Sequence, residues 1–238
     1  MKITIDGLEI GHKTFVFSGG EVQVRINQDI RRFRPNIRIT AYIKTANDLM
    51  EVILATDAVR RMHVEPSIHL VCPYLPYARQ DRVCAPGEAL ALKVLCDMIN
   101  AQNYATVTVW DVHSTAALAL LDRVINLPAK VFVDVVLMNT DEVTLVAPDA
   151  GAVSRVLECA NNRFDMICAT KHRSTDTGAI THTEVHGLNG QSYFLIVDDI
   201  CDGGRTFVEL AKALHNASEH DVNVALYVTH GIFSQGFD

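Results

Sequence analysis

Residues 194–207 read Phe-Leu-Ile-Val-Asp-Asp-Ile-Cys-Asp-Gly-Gly-Arg-Thr-Phe. An apolar run ends in two carboxylates, Asp198 and Asp199, turns through Asp202, Gly203 and Gly204, and is predicted to enter a helix at about Thr206. Backbone N–H groups and the positive end of a helix dipole at such a start hold a phosphate, and Thr206 adds a hydroxyl. Asp198 and Asp199 suit sugar hydroxyls, or a metal shared with the phosphates. An ordinary acidic helix cap after a strand has a similar composition. The chain contains neither G-x-x-x-x-G-K followed by Ser or Thr, nor G-x-G-x-x-G, so P-loop and dinucleotide-loop readings are excluded.

In an open α/β sheet, ligands bind beyond the carboxyl ends of the strands. Polar residues that follow apolar runs are therefore informative. Arg79, Gln80, Asp81 and Arg82 follow LVCPYLPY, Asp111 and His113 follow ATVTVW, and Asp149 follows VTLVAP. Lys171 and Arg173 follow MICAT, and His230 follows VALYV. Acids, bases and histidines at the ends of successive runs suit a charged, metal-bound ligand. His182 and His186 share helical spacing, but the β-branched alternation around them predicts a strand, so a zinc pair is not expected. The 6 cysteines are spread without a C-x-x-C pair and read as reduced, mostly core-packing thiols.

These residues need elements to position them. Strands are predicted for TFVF and EVQVRI, then at 37–43, 67–74, 105–113, 143–148, 164–170, 193–199 and 222–230, with a hairpin edge formed by the first two. Helices are predicted over 47–62, 87–103, 114–122, 132–139, 151–162 and 204–217. Alternating strands and helices imply βαβ units and a mainly parallel sheet, and continuous Val/Ile/Leu runs suit strands covered on both faces. The series repeats on either side of Leu127-Pro128, which predicts two similar α/β domains, 1–127 and 128–238. The 238 residues carry 21 Lys+Arg against 28 Asp+Glu, a net charge of −7, with 49% hydrophobic residues. That balance disfavours disorder and bulk binding to duplex nucleic acid, while leaving room for a local phosphate-binding cluster. No apolar run is long enough to span a bilayer, and MKITIDGLEIGHK lacks the apolar core of a secretory signal; a cytoplasmic location is expected.

The loop Val197-Asp-Asp-Ile-Cys-Asp-Gly-Gly-Arg-Thr206 resembles the phosphoribosyl-binding loop of type I phosphoribosyltransferases. Further segments narrow that resemblance to the ribose-phosphate diphosphokinases, the phosphoribosyl-pyrophosphate (PRPP) synthetases. Phe17-Ser-Gly-Gly-Glu21 is similar to their adenine-binding F-S-D-G-E, and Asn47-Asp48-Leu-Met-Glu51 to N-D-x-L-M-E. Pro73-Tyr-Leu-Pro-Tyr-Ala-Arg-Gln-Asp-Arg82 is nearly P-Y-x-x-Y-A-R-Q-D-R. Asp111-Val-His113, Pro148-Asp149, Lys171-His-Arg173 and Thr229-His-Gly-Ile-Phe-Ser234 follow in family order.

The resemblance implies two phosphoribosyltransferase-like domains, the first on the adenine side and the second carrying the sugar-phosphate and catalytic loops. It implies transfer of the diphosphoryl group of Mg·ATP to the anomeric hydroxyl of ribose 5-phosphate, giving PRPP and AMP. Carried over by motif, Phe17, Glu21, Arg79 and Gln80 bind ATP, and His113 and Asp149 bind Mg²⁺. Lys171 is the catalytic lysine of a mobile loop, with Arg173 beside it as the ribose-phosphate partner. Asp198 and Asp199 take the sugar, and Asp202, Gly203, Gly204, Arg205 and Thr206 take the 5-phosphate. A homo-oligomer with adenine sites completed by a neighbouring subunit is implied, with no nucleic-acid or membrane partner. Three departures stand out. Gly19 replaces the family's aspartate. Gly203 and Arg205 replace a threonine and a glycine of the phosphate loop, placing a side chain at a position where a positive φ is expected. Both ends are expected to be short against the family. The alternatives are a catalytically silent synthetase-associated regulator and a PRPP-binding phosphoribosyltransferase-like protein.

Overall fold

The computed structural model describes residues 1–27, 34–140, 142–173 and 180–236, with all their side chains except those of 171–173 and 180–183. The chain divides into two compact units, Met1–Leu127 and Pro128–Asp238. Among the described residues, no helix is long and apolar enough to cross a membrane. The six cysteines are all free, and four of them are buried.

In the first unit the chain runs through β1 (Lys2–Ile5), β2 (Leu8–Ile10), β3 (His12–Val16), β4 (Val22–Ile26), β5 (Asn36–Thr40), α1 (Ala46–Met62), β6 (Ser67–Val71), α2 (Ala91–Asn100), β7 (Thr106–Trp110), α3 (Thr115–Leu120) and β8 (Val124–Leu127). The main sheet has the order β2-β1-β5-β6-β7-β8. β5 to β8 run parallel, while β1 is antiparallel to both β2 and β5. Ile37, Ile39, Leu70, Val107 and Val109 bury their side chains against Val52, Ala55 and Val59 of α1 and Leu92, Leu95 and Ile99 of α2. Those helix positions recur at three- and four-residue spacing, the apolar stripe of an amphipathic helix. α1 begins at a capping box, with Thr45 and Asp48 each accepting the other's backbone N–H.

Three local expectations change. The hairpin β3–β4 forms its own two-stranded sheet instead of an edge of the main one. It packs on α1, where Thr14 Oγ1 donates to Glu51 Oε1 at 2.8 Å. The sheet edge is instead made by β1 and β2, which were not predicted; they turn at Asp6-Gly7, both at positive φ (49° and 87°), the pair that a tight hairpin turn favours. α2 starts at Ala91, later than the predicted 87. Pro86-Gly87 forms a turn with Gly87 at φ 92°, and Glu88 bends back so that its carboxylate accepts the N–H groups of Cys84 and Ala85 at 2.8 and 3.1 Å.

The second unit contains α4 (Ala129–Val136), β9 (Thr144–Ala147), a 3-10 turn (Ala150–Ala152) leading into α5 (Val153–Ala160), β10 (Met166–Arg173), β11 (Ile180–Val185), β12 (Tyr193–Cys201), α6 (Arg205–Ala217) and β13 (Asn223–Gly231). Its sheet has the order β11-β10-β9-β12-β13, parallel except for β11. Alternate strand residues feed opposite cores. Leu145, Ala147, Leu195 and Val197 pack with Val133 of α4 and Val156 and Cys159 of α5. Val146, Phe194 and Ile196 pack with Phe207, Leu210 and Leu214 of α6. Helices on both faces explain why VTLVAP and YFLIV are apolar without alternation. The fold class is therefore α/β, with mainly parallel sheets flanked by helices.

Candidate functional site

At the carboxyl end of β6, residues 72–90 form a long loop that carries Arg79, Gln80, Asp81 and Arg82. The Gln80 N–H donates to Tyr77 O at 2.8 Å, and Gln80 O accepts from Leu92 N–H at 3.3 Å, tying the motif to the start of α2. Tyr77 stands at φ 61°, a conformation costly for a bulky residue that the surrounding bonds must hold. Arg79, Gln80 and Arg82 are exposed, and Arg82 Nε lies 3.3 Å from Asp81 Oδ1.

β7 ends next to this loop. Beyond it come the buried Asp111 at φ 38°, the exposed His113 and the buried Ser114, which caps α3. The Ser114 hydroxyl donates to Asp81 Oδ2 at 2.8 Å and accepts from Ala116 N–H at 3.2 Å. Trp110 N–H also donates to Pro73 O at 3.0 Å. The Arg79–Arg82 motif and the His113 turn are thus joined, although 33 residues separate Asp81 from Ser114. The hydrogen bond from Ser114, with help from Arg82, holds the Asp81 carboxyl below its usual range. Ser114→Ala removes this tie. If it aligns the expected nucleotide site, the apparent KM for ATP rises about three- to tenfold, the worth of one typical intramolecular hydrogen bond. Steady-state ATP titrations decide the point, and an unchanged KM refutes the alignment role.

Phe17 and Glu21 stand on a different element, the turn of the β3–β4 hairpin. Phe17 N–H donates to Glu21 O at 2.8 Å, and the Phe17 ring is 52% exposed, in edge contact with Phe15 at 5.3 Å. A Cβ built on Gly19 meets only Glu21 Oε2, at 3.7 Å, so packing alone does not demand glycine there.

In the second unit, Asp149 follows β9 and caps the 3-10 turn; its Oδ1 accepts from Gly151 N–H at 3.0 Å and from Ala152 N–H at 3.3 Å. Arg155, one turn into α5, reaches the end of β12. Its Nη1 lies 3.4 Å from Asp198 Oδ1 and its Nη2 lies 3.6 Å from Asp199 Oδ2. Asp198 Oδ1 also accepts the Asp199 N–H at 2.9 Å. Burial, with the neighbouring Asp199 carboxylate, pushes the Asp198 carboxyl up to about 7, against the pull of Arg155. Sequence reasoning missed Arg155, because nothing local distinguishes it from any polar residue on an amphipathic helix.

After β12 the chain passes through Asp202 and Gly203 to Gly204, at φ 75°, and α6 begins at Arg205 without a side-chain cap. The left-handed position belongs to Gly204, and Arg205 is the first helical residue. The arginine therefore adds an exposed cation at the helix start without occupying the positive-φ position. Position 203 has room for a side chain, since a Cβ there meets only Gln235 Cγ, at 3.6 Å. The Thr229–Ser234 motif braces this loop from β13: Ile232 N–H donates to Cys201 O at 2.8 Å and Ser234 N–H to Asp202 O at 3.1 Å. A Cβ on Gly231 would overlap the Phe233 ring, so glycine is required there by packing.

Lys171 and Arg173 lie in β10, opposite Thr183 and Ile180 of β11, with an irregularity in the pairing between His172 and Arg173. The backbones of both belong to this strand; their side chains, and residues 174–179 of the mobile segment expected to follow, lie outside the described set. The residues expected to handle ATP are in the first unit. Those expected to handle the sugar phosphate, and Asp149, are in the second. Among the described residues no cluster of three or more His, Cys, Asp or Glu gathers as a metal cage. Mg²⁺ bound with a nucleotide takes one or two protein ligands plus phosphates and waters, and a backbone-oriented carboxylate such as Asp149 is a donor of that kind.

Helices on both faces of mainly parallel sheets, with polar residues gathered at the strand ends, place the chain among α/β proteins whose sites lie beyond the carboxyl ends of the strands. Its relatives are more specific. Residues 7–102 match the N-terminal domain of ribose phosphate pyrophosphokinase. The ribose-phosphate pyrophosphokinase of Aquifex aeolicus is 33% identical over 92% of this chain and 70% of its own length. That of Marinomonas sp. is 32% identical over 96% of this chain and 73% of its own. In three dimensions the chain is similar to phosphoribosylpyrophosphate synthetase from Mycobacterium smegmatis, with a TM-score of 0.77 at 21% identity, covering 94% of this chain and 73% of that one. The chain belongs to the ribose-phosphate pyrophosphokinase family.

Proposed function

We propose that the chain transfers the diphosphoryl group of Mg·ATP to the anomeric hydroxyl of ribose 5-phosphate, giving PRPP and AMP. The observation that carries this reading is the end of β12. There the acid pair Asp198–Asp199 stands directly before a glycine turn that opens the uncapped N-terminus of α6. Carboxylates accept from the ribose hydroxyls, while the first N–H groups of α6, the Thr206 hydroxyl and the Arg205 guanidinium take the 5-phosphate, together with Asp202, Gly203 and Gly204 of the turn. Arg79 and Gln80 bind the nucleotide, with Phe17 and Glu21 around its adenine. Asp149 and His113 are each proposed as Mg²⁺ ligands, and the ion would neutralise charge on the phosphates. Lys171 and Arg173 supply fixed positive charge, which is what phosphoryl transfer chiefly requires from a protein. The exposed Phe17 ring supports an adenine site completed by a second copy of the chain, and a cytoplasmic homo-oligomer is proposed.

The test is direct. The protein is incubated with Mg²⁺, ATP and ribose 5-phosphate, and AMP and PRPP are followed. AMP formation that depends on the sugar phosphate is expected, and its absence refutes the reading. Sedimentation at assay concentration tests the oligomer.

A further inference from the structure

The acid pair at the end of β12 has a cation that no motif announces. Successive strand residues point to opposite faces of a sheet, so Asp198 and Asp199 have no intrinsic reason to cooperate. Arg155 joins them: one terminal nitrogen of its planar fork faces each carboxylate, at 3.4 and 3.6 Å. All three side chains are largely withdrawn from water, with Arg155 15%, Asp198 18% and Asp199 5% exposed. Two adjacent carboxylates in such a place repel each other, and a guanidinium set against both offsets that repulsion and restricts their rotamers. Arg155 is itself rigidly placed. The backbone bonds that Asp149 makes fix the turn into α5, and Val156 beside Arg155 is fully buried under the sheet.

We infer that Arg155 is a positioning residue for sugar recognition, fixing the Asp198 and Asp199 carboxylates in the orientation that accepts the hydroxyls of ribose 5-phosphate. The inference rests on the sugar-phosphate reading above and adds a residue to it. A guanidinium that merely stapled α5 to β12 would affect stability and every substrate alike. A positioning residue affects the sugar selectively.

Arg155→Met and Arg155→Lys are compared with wild type in two measurements: calorimetric titration with ribose 5-phosphate, and steady-state kinetics for each substrate. Arg155→Met is expected to weaken sugar-phosphate binding and raise its KM by about tenfold or more, with the KM for ATP and the kcat at saturating sugar within about threefold of wild type. Arg155→Lys restores charge without the fork and is expected to fall between the two. Unchanged sugar affinity in both variants overturns the inference, as does a parallel loss for both substrates. If the Met variant fails to fold, the Lys variant decides, with a loss of sugar affinity of about threefold or more expected and none overturning the idea. A wild type that binds ribose 5-phosphate but forms no AMP refutes the synthetase reading alone, and the titrations still test Arg155. A wild type that does not bind the sugar phosphate overturns both.

Discussion

Lys171→Ala is expected to lower turnover about 10²- to 10³-fold, the usual cost of removing one group that stabilises transition-state charge, while the affinity for ATP changes by less than about threefold. The argument is one of timing. In the proposed reaction, the phosphate charges of bound ATP would be shared with Mg²⁺ and with fixed donors. As the anomeric oxygen attacked the β-phosphorus, charge would move toward the transferring group and the departing AMP, and a nearby ammonium would gain interaction energy only then. The Lys171 backbone belongs to β10 and pairs with Thr183 of β11. The measurement is kcat for AMP release beside equilibrium ATP binding to the same variant. An equal loss in both would make Lys171 a ground-state ATP ligand.

Above neutral pH, Asp198→Asn is expected to raise the KM for ribose 5-phosphate about ten- to a hundredfold and leave ATP binding intact, since an ionised acceptor would be replaced by a neutral amide at the proposed hydrogen bond to substrate. The same residue predicts a pH effect. Its carboxyl is pushed up to about 7, chiefly by burial, so it gains a proton as the solution is acidified through neutrality. A protonated acid has lost acceptor capacity. Below about pH 7 the KM for ribose 5-phosphate should therefore rise, approaching tenfold per pH unit in the limit of one titrating group, and Asp198→Asn should remove that rise. Stability carries the matching sign. The folded pKa lies above the unfolded value of 3.8, so this group favours the fold fully below about pH 4 and loses that contribution as pH rises through about 7. Thermal unfolding should show wild type losing more stability than Asp198→Asn between pH 5 and 8. Identical slopes, with a flat sugar KM, would mean that Asp198 titrates elsewhere.

Much of the architecture was legible because its causes are local. α1 was readable from its apolar stripe and from the Asn47-Asp48 start, which the Thr45 capping box explains. β9 and β12 were readable as continuous apolar runs, because each is covered on both faces. The misses also have causes. β1 and β2 are too short to show a period, and only the Asp6-Gly7 turn between them marks the hairpin. β8 has four residues, three half-buried and one exposed, too few for a period to emerge. α4 begins at Ala129 directly after Pro128, earlier than predicted, because proline can start a helix that it would break internally. In the phosphate loop, sequence alone raised the question of whether Arg205 sits where only glycine fits. The backbone answers it, since the left-handed residue is Gly204.

The order of motifs, the alternation of strands with helices and the identity of the charged groups were set by the linear sequence, because each depends on residues within a few positions of one another. The partnerships that make those groups specific were not. Ser114 meets Asp81 across 33 residues, and Arg155 meets Asp198 across 43. Each contact exists because parallel strands bring successive loops to the same end of a sheet, and because the helix between them returns the chain to that end. No local period encodes which side chain will then face which. That was decided by packing, where a buried carboxylate must find a donor or give up its charge.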